Sequence, residues 1–317
     1  MIKVTIMIPT YNQDNYIVDA INSALSQKYQ DLEVIVCDDN SSDNTWQLIQ
    51  QLKDKRLKIY RNQENLGRVE NYRKLLYELA SGDFIINLDG DDYFIDNNYI
   101  AKAVKLIEKE KLDLVFSNQI VRYTNKDKYT DMDLPVIING KWLFLNYGKK
   151  GIHIPHMTAL YKRSKAVKLN FYCKDIISSD WESILKFIIN SKIGFISEST
   201  GVWRQVEGSE SKSNDIDKYF VNIDQLVSVS TYAEAFFNKK EIIIWKNRII
   251  SNFLKDIPYS VMSCNIKNII NYAYHNLSIT EFISFILHYR FIGKILLGKV
   301  KVKKVLAWKS RSLFITV

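Results

Sequence analysis

The sequence predicts an α/β protein with a mostly parallel sheet flanked by helices, followed by a helical C-terminal region. Three observations carry this. Short apolar strands and helix-period stripes alternate over the first 116 residues. Polar and acidic residues gather at the predicted carboxyl ends of those strands. From about Ile216 onward the pattern is helical, with Pro258 as the clear breaker.

Val4–Ile8 reads as the first strand and ends at Pro9-Thr10. Ile17, Ala20, Ile21, Ala24 and Leu25 then fall on one helix face. Leu32–Val36 is a second strand, and the turn Asp38-Asp39-Asn40-Ser41-Ser42-Asp43 offers N-cap residues to a helix through Leu48, Ile49 and Leu52. Leu57–Tyr60 is a third strand, and Val69, Tyr72, Leu75, Leu76 and Leu79 make the next helical stripe. Phe84–Leu88 stops at Asp89-Gly90-Asp91-Asp92; Ile100, Ala103, Val104 and Ile107 form a helix face, and Leu112–Phe116 a fifth strand. Beyond, the alternation weakens. Met157–Lys162 and Gly194–Ser197 read as strands and Trp181–Ile189 as a helix, with a boundary near 210–220. The expected organisation is an α/β domain over 1–215, made of a regularly alternating half at 1–116 and a less regular half at 117–215, then a helical, basic region at 216–317.

Composition narrows the function classes. At 317 residues with 47% hydrophobic and 25% charged residues, the chain has material for more than one minimal core. Cys37, Cys173 and Cys264 form no CxxC pair, which argues against a disulfide framework or a thiolate zinc site. The N-terminus lacks the layout of a signal peptide, and no run of about eighteen apolar residues suggests a membrane span. A cytoplasmic location is expected. The net charge of +9 is concentrated: eight Lys/Arg and no Asp/Glu lie between Phe282 and Val317, and the rest of the chain is near neutral. That tail suits an anionic membrane surface or a packed helix with a solvated basic face. Nucleic-acid binding is disfavoured because no recognition module accompanies the charge.

The acidic turn carries the chemistry. Asp89-Gly90-Asp91 after a buried strand offers two hard oxygen ligands, and Mg²⁺ or Mn²⁺ commonly uses one or two carboxylates plus phosphates and water. A solvated turn would have the same letters. The wider order of motifs decides more: Ile8-Pro9-Thr10-Tyr11-Asn12, then Asp38-Asp39-Asn40-Ser41-Ser42-Asp43-Asn44-Thr45, then Asn65-Leu66-Gly67-Arg68, then Gly82-Asp83 leading to Leu88-Asp89-Gly90-Asp91-Asp92. This series resembles the family-2 glycosyltransferases, over roughly residues 1–120 and more loosely over 150–212.

The resemblance implies the GT-A fold and inverting transfer from a nucleotide-sugar, UDP by preference, to a hydroxyl of a glycan or lipid-linked glycan. Capsule or lipopolysaccharide synthesis at the inner face of the cell membrane would follow. It places Pro9, Thr10 and Tyr11 at the base, Asp39 on the uracil N3–H, and Arg68 near base and phosphates. Asp89 meets ribose or donor sugar, and Asp91, with Asp89, holds Mg²⁺ or Mn²⁺. An inverting transfer needs a general base across the sugar ring. Asp180 in Ser179-Asp180-Trp181-Glu182 matches it, although Ser179 stands where the family has Glu; Asp180 could equally cap a helix, and Glu182 is its substitute. In Trp203-Arg204-Gln205-Val206, which resembles the family's Tyr-Arg-x-His loop, Val206 replaces the His. Arg204 would neutralise diphosphate or pair with a nearby carboxylate. His153 and His156 are read as packing or acceptor contacts. The alternative is a non-catalytic nucleotide-sugar or glycan-binding scaffold. A dinucleotide oxidoreductase is excluded by the lack of G-x-G-x-x-G after the first strand.

Overall fold

The computed structural model describes residues 1–206, 215–257, 259–280, 282, 283, 285 and 286. Pro258, the end of the Arg204 loop and nearly all of the basic tail therefore lie outside the described residues. The chain divides into two compact units, Met1–Ser209 and Glu210–Val317.

The first unit begins β1 (Val4–Thr10), α1 (Ile17–Leu25), β2 (Leu32–Asp38), α2 (Thr45–Gln51), β3 (Leu57–Arg61), α3 (Arg68–Lys74) and β4 (Phe84–Asn87). It continues with β5 (Tyr93–Phe94), α4 (Tyr99–Glu110), β6 (Leu114–Tyr123), β7 (Lys126–Tyr129) and β8 (Ile137–Asn139). Then come α5 (Gly140–Asn146), β9 (Leu160–Lys162), α6 (Arg163–Lys168), α7 (Ser179–Ile189) and β10 (Lys192–Arg204). One sheet runs β3-β2-β1-β4-β9-β6-β10-β5, with β7 on β6 and β8 on β10.

Every residue of β1 and β2 is buried, as strands covered on both faces must be. Ile17, Ala20, Ile21 and Ala24 pack on them with Ile100, Ala103, Val104 and Ile107, the two helix faces read from periodicity. The parallel expectation holds for β3-β2-β1-β4. Beyond, β6 and β10 pair parallel, but β9 runs antiparallel to both β4 and β6, and β5, β7 and β8 also pair antiparallel, so this half of the sheet is mixed. The reason is local. β9 enters from a short 3₁₀ turn, His156–Thr158, and not from a crossover helix. β6 and β10 are ten and thirteen residues long, beyond the apolar cores by which the sequence marks them. The Val69–Leu79 stripe is α3 followed by a π-helical turn at Leu75–Leu79.

Glu33, inside β2, is a buried charge of this core. Lys58 Nζ at 2.7 Å, Thr5 Oγ1 at 2.6 Å and Ser81 N at 2.9 Å all donate to it. Burial pushes its carboxyl up, but these bonds outweigh burial and bring it down to about 2.

The second unit contributes α8 (Ile216–Ala233), α9 (Lys239–Asp256) and α10 (Tyr259–Asn276) around a core that includes Ile223, Ile250, Leu254 and Ile269. Asn238 and Glu241 form a reciprocal capping box at the start of α9. Phe220 and Tyr272 stack at 4.4 Å.

Candidate active site

The ends of β1, β2 and β4 lie side by side, because parallel pairing puts Thr10 opposite Asp38 and Met7 opposite Asn87. The loop after β1 is bound to the loop after β2. Asn12, in the left-handed region at φ 51°, donates its N–H to Ser41 Oγ at 2.9 Å and accepts Ser42 N at 2.8 Å. Gln13 N reaches Thr45 Oγ1 at 2.8 Å. Thr10 is buried, while Tyr11 leaves its ring 47% exposed and open to stacking.

Asp38 and Asp39 are both buried, with different partners. Asp38 takes Ser41's N–H and hydroxyl and pairs with Arg61 Nε at 3.1 Å, so it ties its own turn. Asp39 accepts Asn62 Nδ2 at 2.7 Å, Leu66 N at 2.9 Å and Gly67 N at 2.9 Å. An ionised carboxylate has about four acceptor positions, which leaves Asp39 one more. Gly67 turns at φ 86°, a conformation that suits glycine, and releases the chain into α3 at Arg68.

The acidic turn is crowded. Asp92 N closes it on Asp89 O at 2.9 Å. Gly90 lies against Thr10 and Gln13; a Cβ there would come within 2.9 Å of Thr10 Oγ1. Asp89 accepts Tyr72 OH at 2.7 Å and Asn87 Nδ2 at 2.9 Å. Burial, then the charge of Asp89, pushes the Asp91 carboxyl up to about 6, against opposing contributions from Arg204 and Gln13. Asp92 is fully enclosed and raised further by burial and by both neighbouring carboxylates. Its Oδ1 accepts Arg204 N at 2.8 Å, so the last strand is stitched to the turn. The Arg204 guanidinium donates to Asp91 O at 2.9 Å and Asp19 Oδ2 at 2.8 Å, and lies 4.3 Å from the Tyr93 ring centroid. Of the two roles the sequence leaves open for it, carboxylate pairing is the one present.

Two neighbouring carboxylates that repel each other are a fit for a hard divalent cation completed by phosphate and water. Among the described residues, no group of three or more His, Cys, Asp or Glu could hold a metal by protein ligands alone.

Asp180 lies in the first turn of α7, whose N-cap is Ser178, so Asp180 is not the cap. His156 Nδ1 lies 3.9 Å from Asp180 Oδ2, and His156 Nε2 meets Tyr172 OH at 2.9 Å. The Tyr72 ring packs edge-on to His156 at 5.8 Å. Tyr72 is thus wedged between the acidic turn and the His156–Asp180 pair. Burial first, then the charge of Asp89, with a smaller push from Asp180, keeps its phenol strongly protonated and a donor. Glu182 is buried and ion-paired with Lys186, which commits it to structure. Ser179 Oγ is buried without a hydrogen-bond partner. Arg68 Nη2 donates to Ile176 O at 3.0 Å and Ile177 O at 2.8 Å.

Four residues of this centre carry no motif signal. Tyr72 hides in an apolar helix stripe, Asn87 ends an apolar strand, Gln13 follows the quoted Pro-Thr-Tyr-Asn, and His156 precedes a strand-like run. A polar tip on an otherwise apolar face is the sign Tyr72 and Asn87 do show.

A sequence profile described as "Glycosyl transferase family 2" matches residues 5–169, just over half the chain. The chain belongs to glycosyl transferase family 2. Its curated relatives include an Escherichia coli protein, UDP-Glc:alpha-D-GlcNAc-diphosphoundecaprenol beta-1,3-glucosyltransferase WfaP. It is 36% identical over 124 residues, covering 39% of this chain and 47% of that one. Another is the Staphylococcus aureus poly(ribitol-phosphate) beta-N-acetylglucosaminyltransferase TarS, 31% identical over 118 residues, covering 36% and 20%. The chain spans about half the length of the first of these relatives. Among solved structures, TarS 1–349 in complex with UDP-GlcNAc superposes with a TM-score of 0.61 at 18% identity, covering 91% of each chain. The mannosyltransferase PcManGT from Pyrobaculum calidifontis, in complex with GDP-Man and Mn²⁺, gives 0.56 at 16% identity, covering 98% and 84%. The fold is GT-A. No described helix is long and apolar enough to cross a membrane.

Proposed function

We propose that the chain is an inverting glycosyltransferase that moves a sugar from a UDP-sugar to a hydroxyl of a lipid-linked envelope glycan. The observation that carries this is the placement of Tyr72: it donates to Asp89 on the donor side and packs on His156, the neighbour of Asp180, on the other. A sugar between the two sides would have its leaving group and its attacking hydroxyl on opposite faces, as inversion requires.

Tyr11 stacks on the base and Asp39's remaining acceptor position takes its N–H. Asp91 and Asp89 would hold Mg²⁺ or Mn²⁺, which would stabilise the negative charge of the departing nucleotide. Asp180 accepts the proton of the acceptor hydroxyl as that oxygen attacks the anomeric carbon. His156 orients Asp180 and is itself held by Tyr172. The lipid-diphosphate acceptor is inferred from the activity for which WfaP and a second Escherichia coli relative are named. The eight cations between residues 282 and 317 would favour an anionic membrane surface where such an acceptor resides.

The test is calorimetric titration with UDP, GDP and dTDP, each with and without Mn²⁺. Metal-dependent preference for UDP is expected. A folded protein that binds none of the three would be a scaffold, and the transfer reading would fall.

A further inference from the structure

The ten residues between α6 and α7 form a strap under the candidate base, and α3 holds it by its carbonyl groups. Asn170 and Tyr172 are both left-handed, at φ 53° and 59°, without being glycine. Such residues cost free energy and persist only where the surroundings over-determine them. Here the surroundings are side chains of α3 and the π-turn. Arg73 Nη1 donates to Asn170 Oδ1 at 3.3 Å, Phe171 O at 3.2 Å and Tyr172 O at 3.4 Å. Tyr77 OH adds Phe171 O at 3.1 Å. At the other end, Arg68 grips the successive carbonyls of Ile176 and Ile177, immediately before the Ser178 cap of α7. A planar guanidinium with fixed donors suits two adjacent oxygens better than a single ammonium does.

The base of that grip is set by the nucleotide pocket. Arg68 opens α3, directly after Gly67, whose N–H is bound to Asp39. Its guanidinium also lies 5.4 Å from the Tyr72 ring centroid, and Tyr72 bonds Asp89. One residue therefore follows in the chain the loop that Asp39 shapes, and its side chain meets the tyrosine of the acidic turn and the strap that leads into Asp180.

We propose that Arg68 is a positioning residue for Asp180: it fixes the first turn of α7 through Ile176 and Ile177 and makes the base's placement respond to the nucleotide loop. This rests on the transferase reading and gives Arg68 a different task from the phosphate contact that motif position implies. Filling the remaining acceptor position of Asp39 tightens the 65–67 loop, and the tightening passes through Arg68 to the strap.

Hydrogen exchange of the segment 176–184 in the full chain, with and without UDP and Mn²⁺, tests it. Arg68→Ala should speed exchange there about tenfold without nucleotide. UDP should slow exchange in the wild type and leave it unchanged in the variant. UDP affinity should stay within about threefold, and donor KM likewise, while turnover of UDP-glucose or UDP-GlcNAc falls about 100-fold, as misplacement of a base by about an ångström can cause. Arg68→Lys, which reaches one carbonyl, should recover part of that turnover. If Arg68→Ala does not fold, Arg68→Gln gives the same comparison. Unchanged exchange together with a tenfold or greater loss of UDP affinity would overturn the proposal and make Arg68 a phosphate contact. A wild type that binds no UDP would defeat the transferase reading instead, and the nucleotide-free exchange comparison would still decide the grip.

Discussion

The turn after β2 and the turn after β4 are both acidic, both at the carboxyl ends of parallel strands, and differently furnished. At the first, Asp38 and Asp39 are met by main-chain N–H groups, a hydroxyl, Asn62 and Arg61. At the second, Asp89, Asp91 and Asp92 crowd one another, and the nearest guanidinium, Arg204, donates to the carbonyl of Asp91 and the carboxylate of Asp19. Carboxylates met by several donors hold a loop in shape. Those that crowd one another fit a divalent cation.

The largest effect belongs to neither turn. Asp180→Asn should lower turnover by about 10²–10⁴-fold, the range of general-base catalysis, with UDP affinity unchanged. UDP release from the donor in the presence of acceptor reads the first, calorimetry the second. Turnover near wild type would transfer the role away from Asp180.

Asp91→Asn sharpens the contrast, because it should separate function from stability. A carboxyl raised from 3.8 to about 6 destabilises the fold once ionised, and that cost is absent below the unfolded value and complete above about pH 6. The amide should therefore abolish the Mn²⁺ dependence of UDP binding while raising metal-free stability at pH 8 by about 1 kcal/mol, discounted for solvent screening. The gain should vanish below about pH 4. A variant less stable than wild type without metal would mean the turn is structural after all.

Glu33 is the opposite case and gives a larger stability change. Its carboxyl lies near 2, below the ordinary 4.5, so its contribution is present above pH 4.5 and is lost as pH falls toward 2. Urea unfolding of Glu33→Gln should show a loss of about 3 kcal/mol at pH 7 that shrinks by pH 3. Equal slopes of stability against pH in variant and wild type would refute the assignment.

How much of this was legible follows the same division. Short apolar runs and period-3.6 stripes give β1, β2 and β4 and their helices because both faces of the sheet are covered there, and the motif order points to Asp39, Asp89, Asp91 and Asp180 as candidates through the family resemblance. The mixed half of the sheet was less visible, since β5, β7 and β8 are two to four residues long and their pairing is set by tertiary contact. Nor could sequence show that Arg68 turns to Ile176 and Ile177, over a hundred residues on, or that Arg204 is occupied by Asp19. Charge identifies what a side chain can do; only the fold says which partner it has.

Asp39→Asn is the sharpest test of the two-turn comparison. The amide keeps one oxygen for Leu66 N and Asn62 Nδ2, but its NH₂ faces Gly67 N, a donor against a donor. Loss of one charge-assisted bond should cost about 2 kcal/mol in urea unfolding. If the carboxylate only shapes the 65–67 loop, UDP binding should weaken in step with the loop and be restored by any change that stabilises it. If its remaining acceptor position also takes the base, UDP binding stays weak when the loop is repaired, while a nucleotide without an N–H at that position loses nothing between wild type and variant. Comparing UDP with N3-methyl-UDP in both proteins separates these: equal affinity for the two nucleotides in the wild type would leave Asp39 a purely structural carboxylate.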